Sequence, residues 1–217
     1  MKKIKKILKK IISSIFEKEQ ENFEEQYFYF VFPISPLSPG FSHVDLGCGG
    51  RKAKAKLLGY PERQSDIVID KTKENTQADL LCNLGLENLP LEDNSQDLVA
   101  AYDLAEHIPK VCVVRQESRL YVYIYHVINL FNEVYRVLKA GGLFEIVSPG
   151  IPNYWNGAIR DPTHVSLWCL GSFDYFYKGR FEALSHSYGL RYPFDKVRVD
   201  WQNISHIQAV LQKPLIR

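Results

Sequence analysis

Apolar residues from His43 onward fall into short runs separated by polar or glycine-rich stretches. Runs of four to seven residues with polar boundaries are typical of buried β-strands. The five predicted strands are HVDL (43–46), DIVID (66–70), ADLLC (78–82), DLVAAYD (97–103) and LFEIVSP (143–149). Near the C-terminus, KVRVDWQ (196–202) and HIQAVLQ (206–212) predict the two strands of an antiparallel hairpin.

The segment between Ser118 and Lys139 has the helical period instead. Its apolar face is formed by Leu120, Tyr123, Ile124, Val127, Phe131, Val134 and Leu138. Lys139 in the last turn and glycine at 141–142 predict the end of this helix. Strands that alternate with helices predict an α/β fold: a Rossmann-like, mainly parallel sheet flanked by helices, with the antiparallel hairpin at its C-terminal end. Ligands of such sheets bind beyond the C-terminal ends of the strands.

Composition narrows the class of protein. The 217 residues are 46% apolar and 24% charged, which predicts an ordinary globular domain. Residues 1–40 are predicted to form an arm and a proline-rich linker, and residues 41–217 the domain. A net charge of +2 gives no general affinity for nucleic acid, which is not an expected partner. The four cysteines show neither pairing nor zinc-ligand spacing, so we expect reduced thiols, a cytoplasmic location and no metal ligand.

Residues 1–16 carry six lysines and no acidic residue, and their apolar residues recur at helical spacing. One interpretation is an amphipathic helix that rests on the anionic inner face of a membrane, so that the protein is peripheral to it. The other is a helical arm that packs on its own domain, with its lysines balanced by the glutamates between 17 and 25. The sequence leaves both open.

Glycines follow the first predicted strand at once, in the sequence GCGG (47–50). They permit either a plain tight turn or the close approach of a ligand to the backbone. Asp70 ends the second predicted strand, where an acid can accept hydrogen bonds from ribose hydroxyls, so a nucleoside ligand is expected. A dinucleotide fingerprint would place its third glycine where Lys52 stands. Asp45 would repel a pyrophosphate and suits a cationic nucleoside.

Five segments in this order resemble the class I S-adenosylmethionine-dependent methyltransferases, most closely the small bacterial methyltransferase type 11 group. They are VDLGCGGRK (44–52), DIVID (66–70), NLPLEDNSQDLVAAYDLAEHIP (88–109), NEVYRVLKAGGLFEIVSP (132–149) and RDPTHVSLWCLGSFDYF (160–176). The resemblance implies a methyltransferase with S-adenosyl-L-methionine as its cofactor.

The resemblance also implies a set of cofactor-binding residues: Asp45, Gly47, Cys48, Gly49, Asp70, Asn83 and Asp103. The loop 45–49 matches the family's D-x-G-x-G, which holds the methionine end, and Asp70 matches the acid that binds the ribose. Asn83 stands where the family often has Asp, beside the adenine. Asp103 stands where the family commonly has His or Asn.

Transfer from an activated sulfonium depends mainly on positioning, but an oxygen or nitrogen acceptor can also need a base. The predicted catalytic residues are His164, Asp161 and His107. His164 is the preferred base because its segment follows the fifth strand, where an acceptor would lie. The alternative is that Asp161 and His164 only fix a loop, and that Glu106 and His107 only orient the helix after the fourth strand.

The predicted function is methyl transfer to an oxygen or nitrogen of a small molecule, a lipid or a glycan. A non-catalytic cofactor-binding module of the same fold is one alternative, because Asn83 and Asp103 depart from the family pattern. An NAD-dependent oxidoreductase is the other, and Lys52 argues against it.

The arm supplies a first test. If residues 1–16 bind an anionic membrane surface, their deletion will lower the fraction of protein that sediments with anionic liposomes, because the lysine charge is lost. Neutral liposomes serve as the control. An unchanged distribution between liposomes and buffer would contradict membrane binding by this segment.

Overall fold

The computed structural model describes residues 40–47, 49, 54–55, 63–64, 66–71, 78–115 and 121–215. The predicted arm, most of the linker and Cys48 therefore lie outside the described residues. Within the described part, no helix is long and apolar enough to cross a membrane.

The described elements alternate along the chain. The strands are β1 His43–Leu46, β2 Lys54–Ala55, β3 Arg63–Gln64, β4 Ile67–Asp70, β5 Leu80–Leu81, β6 Gln96–Tyr102, β7 Cys112–Arg115, β8 Tyr121–Ile124, β9 Leu138–Pro149, β10 Asp195–Trp201 and β11 His206–Gln212. The helices are α1 His126–Val137, α2 Trp155–Arg160 and α3 Glu182–Ser187, with 3-10 turns at Ala105–His107 and Leu170–Tyr175.

Seven strands form the main sheet in the order β5-β4-β1-β6-β9-β11-β10. β1 pairs in parallel with both β4 and β6, and β6 pairs in parallel with β9. β11 is antiparallel to both of its neighbours, β9 and β10. The predicted parallel sheet with an antiparallel C-terminal hairpin is therefore confirmed. The strand order reverses between β1 and β6, which is where ligands bind in sheets of this kind.

The core explains why these runs are strands. The three central strands are buried on both faces, and Val44, Leu46, Val99 and Phe144 form the apolar side of one face. α1 covers one face, where the ring of Phe131 lies 5.2 Å from that of Phe144, centroid to centroid.

The predicted helix at 118–139 is wrong at both ends. Tyr121–Ile124 forms a strand that pairs with Cys112–Arg115, because the sequence YVYI combines aromatic and β-branched residues that favour extended backbone. The helix ends at Val137, so Arg136 and not Lys139 lies in its last turn. Leu138 is already extended and pairs with Gln96 of β6.

The glycines after Lys139 serve the strand and not the helix end. A Cβ on Gly142 would lie 2.9 Å from the Lys139 carbonyl oxygen and 3.1 Å from that of Gln96. Gly141 has a positive φ of 79° and donates its N–H to the Lys213 carbonyl at 2.9 Å. These residues therefore form an irregularity in β9 that only glycine fits.

Glu145 is an acid buried in the middle of β9, with 1% of its surface exposed. Tyr102 donates its hydroxyl to Oε2 at 2.5 Å, and Gln208 donates its amide to Oε1 at 2.6 Å. Burial disfavours the charged form and raises the pKa of this carboxyl, although both hydrogen bonds lower it.

The pKa of Glu145 predicts how stability depends on pH. Because the folded pKa is raised above the unfolded value of about 4.3, its stabilising contribution is full below that pH and is lost as the pH rises through the folded pKa. The isosteric Glu145→Gln variant removes this pH-dependent loss, so its Tm relative to that of the parent will rise as the pH rises above about 4.3. Thermal unfolding from pH 4 to pH 8 measures the difference, with Glu92→Gln at an exposed position as the control. A Tm difference that does not depend on pH would contradict the argument.

Candidate active site

The loop after β1 lies directly against the loop after β6. Gly47 has a φ of 71° and donates its N–H to the Ile69 carbonyl at 2.8 Å. A Cβ at this position would lie 2.5 Å from Cδ1 of Leu104. Gly47 is therefore required by its backbone angle and by the close approach of Leu104.

Gly49 faces open space. Its φ is 55°, and a Cβ built on it would have no atom of the described residues within 4 Å. Its N–H lies 3.3 Å from Oδ2 of Asp70, the last residue of β4. The glycine loop and the acid thus meet at the ends of adjacent strands.

Asp70 is largely buried, with 8% of its surface exposed. Its Oδ1 accepts the N–H of Lys71 at 2.6 Å. Asp45 is buried further inside the sheet, opposite Val68 of β4 and Ala100 of β6. Asp45 therefore lies within β1, which borders the point where strand order reverses, and Asp70 lies at the end of the neighbouring strand β4.

Asn83 opens a turn after β5. Its N–H donates to Oε2 of Glu87 at 2.7 Å, and its carbonyl accepts the N–H groups of Leu86 and Glu87. Hydrogen bonds from the backbone and the side chain of Asn83 to the exposed Glu87 carboxylate hold the pKa of Glu87 below its usual range. Glu87 adds a carboxylate to this loop that sequence reasoning missed.

Asp103 lies directly after β6 in the left-handed region, with a φ of 48°. Its side chain is 64% exposed, and its Oδ1 lies 3.2 Å from Nε2 of His206 at the start of β11. The resemblance implied that Asp103 binds the cofactor, and sequence reasoning missed His206. The two residues are 103 positions apart, and only the pairing of β9 with β11 brings them together.

Backbone hydrogen bonds hold the loop after β9 on the turn after β6. The N–H groups of Val165 and Ser166 both donate to the Glu106 carbonyl, at 2.8 and 3.0 Å. The Ser166 hydroxyl donates to the Ile108 carbonyl at 2.5 Å. The E-H and D-P-T-H motifs therefore form one structural unit, although they are far apart in the sequence.

Asp161 shapes the D-P-T-H loop. Its Oδ1 accepts the N–H and the hydroxyl of Thr163, at 2.8 and 2.7 Å. These hydrogen bonds, together with weaker attraction from the His164 and His107 rings, hold the pKa of the Asp161 carboxyl below its usual range. The contacts of Asp161 are those expected of a residue that fixes a loop.

The structure brings His107 and His164 together. Their ring centroids are 4.8 Å apart, with the rings edge to face. Nδ1 of His107 lies 3.2 Å from the Thr163 carbonyl oxygen, and Nδ1 of His164 lies 3.1 Å from that of Ala158. The His107 ring is exposed, whereas only 10% of the His164 side chain is exposed.

Glu106 lies beneath the two rings and is buried, with 1% of its surface exposed. Ser148 donates its hydroxyl to Oε2 at 3.0 Å, whereas Oε1 has no hydrogen-bond partner among the described residues. Burial raises the pKa of this carboxyl, and the nearby Asp103 carboxylate raises it further. Sequence reasoning gave Glu106 only a structural role. Its position beside His107 in the E-H motif was the signal that could have identified it as part of the site.

Comparisons with known proteins agree with this geometry. A family model described as "Methyltransferase domain" matches residues 44–146, from β1 into β9. No protein of curated function matches the sequence.

Solved structures match this chain at low sequence identity. The YcgJ protein from Bacillus subtilis is 16% identical over 83% of this chain and 95% of its own, with a TM-score of 0.50. A SAM-dependent methyltransferase from Archaeoglobus fulgidus is 14% identical over 93% of this chain and 99% of its own, with a TM-score of 0.48. A SAM-dependent methyltransferase from Aquifex aeolicus is 13% identical over 88% of this chain and 98% of its own, with a TM-score of 0.47.

The glycine loop, the acid that ends the neighbouring strand and the sheet order all fit the matched family, and its cofactor is the predicted S-adenosyl-L-methionine. Residues 44–146, the span of the family match, therefore resemble a methyltransferase domain of the class I, S-adenosylmethionine-dependent type.

Proposed function

We propose that this methyltransferase moves the methyl group of S-adenosyl-L-methionine to an oxygen or nitrogen of a small molecule, a lipid or a glycan. The observation that carries the proposal is the position of two histidine rings, His107 and His164, after β6 and β9. The loops after β1 and β4 lie at the carboxyl ends of strands in the same sheet and form the proposed cofactor side.

On the cofactor side, the ribose hydroxyls donate to Asp70, whose carboxylate already lies beside the Gly49 N–H. The open space at Gly49 lets the cofactor approach the backbone. Asp45 contributes negative charge near the cationic methionine end. Asn83 and the turn it opens would lie beside the adenine.

On the acceptor side, His164 is the proposed base. The Ala158 carbonyl can only accept a hydrogen bond, so Nδ1 of His164 carries the proton and Nε2 keeps its lone pair. The acceptor oxygen or nitrogen forms its bond to the methyl carbon while the carbon–sulfur bond breaks. The electron pair of that bond stays on sulfur, which becomes a neutral thioether, and the acceptor proton passes to Nε2.

The alternatives make different predictions for ligand binding. A non-catalytic module would bind S-adenosyl-L-methionine without turnover on any acceptor. An oxidoreductase would bind NAD. Titration calorimetry with each ligand, followed by a transfer screen with methyl-labelled cofactor against fractionated cell extract, separates the three functions. Binding of NAD alone would contradict the methyltransferase assignment.

Asp70→Asn tests the cofactor side. We expect the variant to bind S-adenosyl-L-methionine about 10- to 100-fold more weakly, because hydrogen bonds to a charged acceptor contribute about 1.5–3 kcal/mol. Titration calorimetry measures the affinity, and thermal unfolding verifies the fold. The matched control is Asp195→Asn. Asp195 pairs with Lys178 and begins β10, the outermost strand on the far side of the sheet. Equal affinities of the two variants would rule out the ribose role of Asp70.

His164→Ala tests the acceptor side. Loss of a positioned base typically costs about 10²- to 10⁴-fold in rate, so we expect transfer to fall by that order while cofactor affinity stays within about twofold. His186→Ala is the control, because its Nδ1 also contacts a backbone carbonyl, that of Leu190, but it lies on α3. A normal transfer rate in His164→Ala would exclude His164 from the chemistry.

A further inference from the structure

Three side chains that can bind a metal converge where the loops after β6 and β9 meet. One donor atom from each of Glu106, His107 and His164 lies within 4.8 Å of the other two. The three come from two segments that are more than 50 residues apart, and the backbone hydrogen bonds to the Glu106 carbonyl hold these segments together. The convergence is therefore built into the fold.

Both histidines present a lone pair. The carbonyl oxygens of Thr163 and Ala158 can only accept hydrogen bonds, so the Nδ1 atoms that contact them carry protons. The Thr163 hydroxyl oxygen also lies 3.1 Å from Nδ1 of His107, but its hydrogen is donated to Asp161, so it too accepts from this ring. In the neutral form of each ring, Nε2 is then the unprotonated nitrogen. An Nδ1–H donated to a backbone carbonyl is the usual outer contact of a histidine that binds a metal through Nε2.

Glu106 supplies the independent observation. The residue is 99% buried by surface area, yet its Oε1 atom has no hydrogen-bond partner among the described residues. A buried polar atom without a partner is costly, so such atoms in native proteins normally bind something. The other oxygen is held by the Ser148 hydroxyl at 3.0 Å, which orients the carboxylate as an outer contact would.

The surrounding charge favours a cation. Oδ2 of Asp161 lies 4.0 Å from Nε2 of His164. The carboxylate of Asp103 is close enough to Glu106 to act on it electrostatically. One carboxylate thus lies beside a donor ring, and a second acts electrostatically on Glu106.

We propose that Glu106, His107 and His164 bind one divalent transition-metal ion through two imidazole nitrogens and one carboxylate oxygen. This donor set suits zinc, manganese, iron(II) or cobalt(II), and three protein ligands leave coordination positions open. Donor atoms at about 2.1 Å from a tetrahedral ion lie about 3.4 Å apart. A pair of donor atoms at the 4.8 Å limit therefore closes in by about 1.4 Å when the ion binds.

The role of the ion in catalysis rests on the proposed methyl transfer. An open position faces the acceptor side, so the oxygen of a hydroxyl acceptor can bind the ion, which lowers the pKa of that hydroxyl. The proton then leaves to solvent before the methyl group is transferred. His164 in this state acts as a ligand, and the ion takes the place of the base.

The test is calorimetric titration of the tag-free, chelator-treated full chain with MnCl₂ and, separately, CoCl₂. We expect one ion per chain. Glu106→Gln keeps the shape and the Ser148 contact, and we expect it to weaken binding about 10- to 100-fold. His107→Ala with His164→Ala should abolish binding. The matched control is Glu182→Gln with His186→Ala, an acid–histidine pair on α3 with atoms 3.8 Å apart, which should bind like the parent.

The visible spectrum of the cobalt form reports the ligands directly. Bands of a four- or five-coordinate ion that vanish in Glu106→Gln would support the site. A sulfur-to-cobalt charge-transfer band would place the ion on a cysteine and overturn the proposal, as would binding that is unchanged in both site variants. Thermal unfolding verifies that each variant is folded.

Failure of this proposal is distinguishable from failure of the proposed function. Titration of S-adenosyl-L-methionine into the chelator-treated chain tests cofactor binding without the ion. Cofactor binding with no metal binding would overturn only the ion site. Metal binding without methyl transfer to any acceptor would leave the ion site standing and overturn the methyl-transfer function.

Discussion

The contact between Gly47 and Leu104 sets the geometry of the whole site. β1 and β6 are adjacent parallel strands, so the chain leaves both at the same edge of the sheet, and the two loops must pass each other. Only a residue without a side chain fits against Leu104 at this point. The loop after β1 is thereby turned toward β4 and Asp70, whereas the chain after β6 runs toward β9. The proposed division of the site into a cofactor side and an acceptor side depends on this contact.

The sheet edge is acidic although the chain as a whole is not. The net charge is +2, yet Asp45, Asp70, Asp103 and Glu106 all lie within or just after the central strands. Such a local field disfavours phosphate-rich ligands and favours cations. A sulfonium is a cation, and so is the proposed metal ion. The same electrostatics therefore supports both ligands.

The sequence predicted the strands well because the central strands are buried on both faces and end in polar residues. It failed at the start of α1, where YVYI satisfies the helical period and also forms a strand with 112–115. Local periodicity cannot resolve that conflict, because the pairing partner lies in another segment.

The glycine loop and Asp70 were predictable because a loop and the acid of the next strand have a regular spacing in this fold. The convergence of Glu106 with His164 was not, since metal-ligand spacing rules concern residues close together in the sequence. The contact of Asp103 with His206 depends likewise on the antiparallel pairing of β9 with β11. Sequence patterns identify residues that act within one loop and miss those assembled from several.

The two backbone hydrogen bonds to the Glu106 carbonyl make the proposed acceptor side a separable unit. They are donated by Val165 and Ser166 through main-chain atoms, so they do not depend on which side chains the surrounding loop carries. Evolution can therefore replace residues of the segment between β9 and β10 while the attachment to the turn after β6 persists. The cofactor side lies on other strands and is untouched by such changes. One scaffold can in this way acquire new acceptors and keep a constant methyl donor.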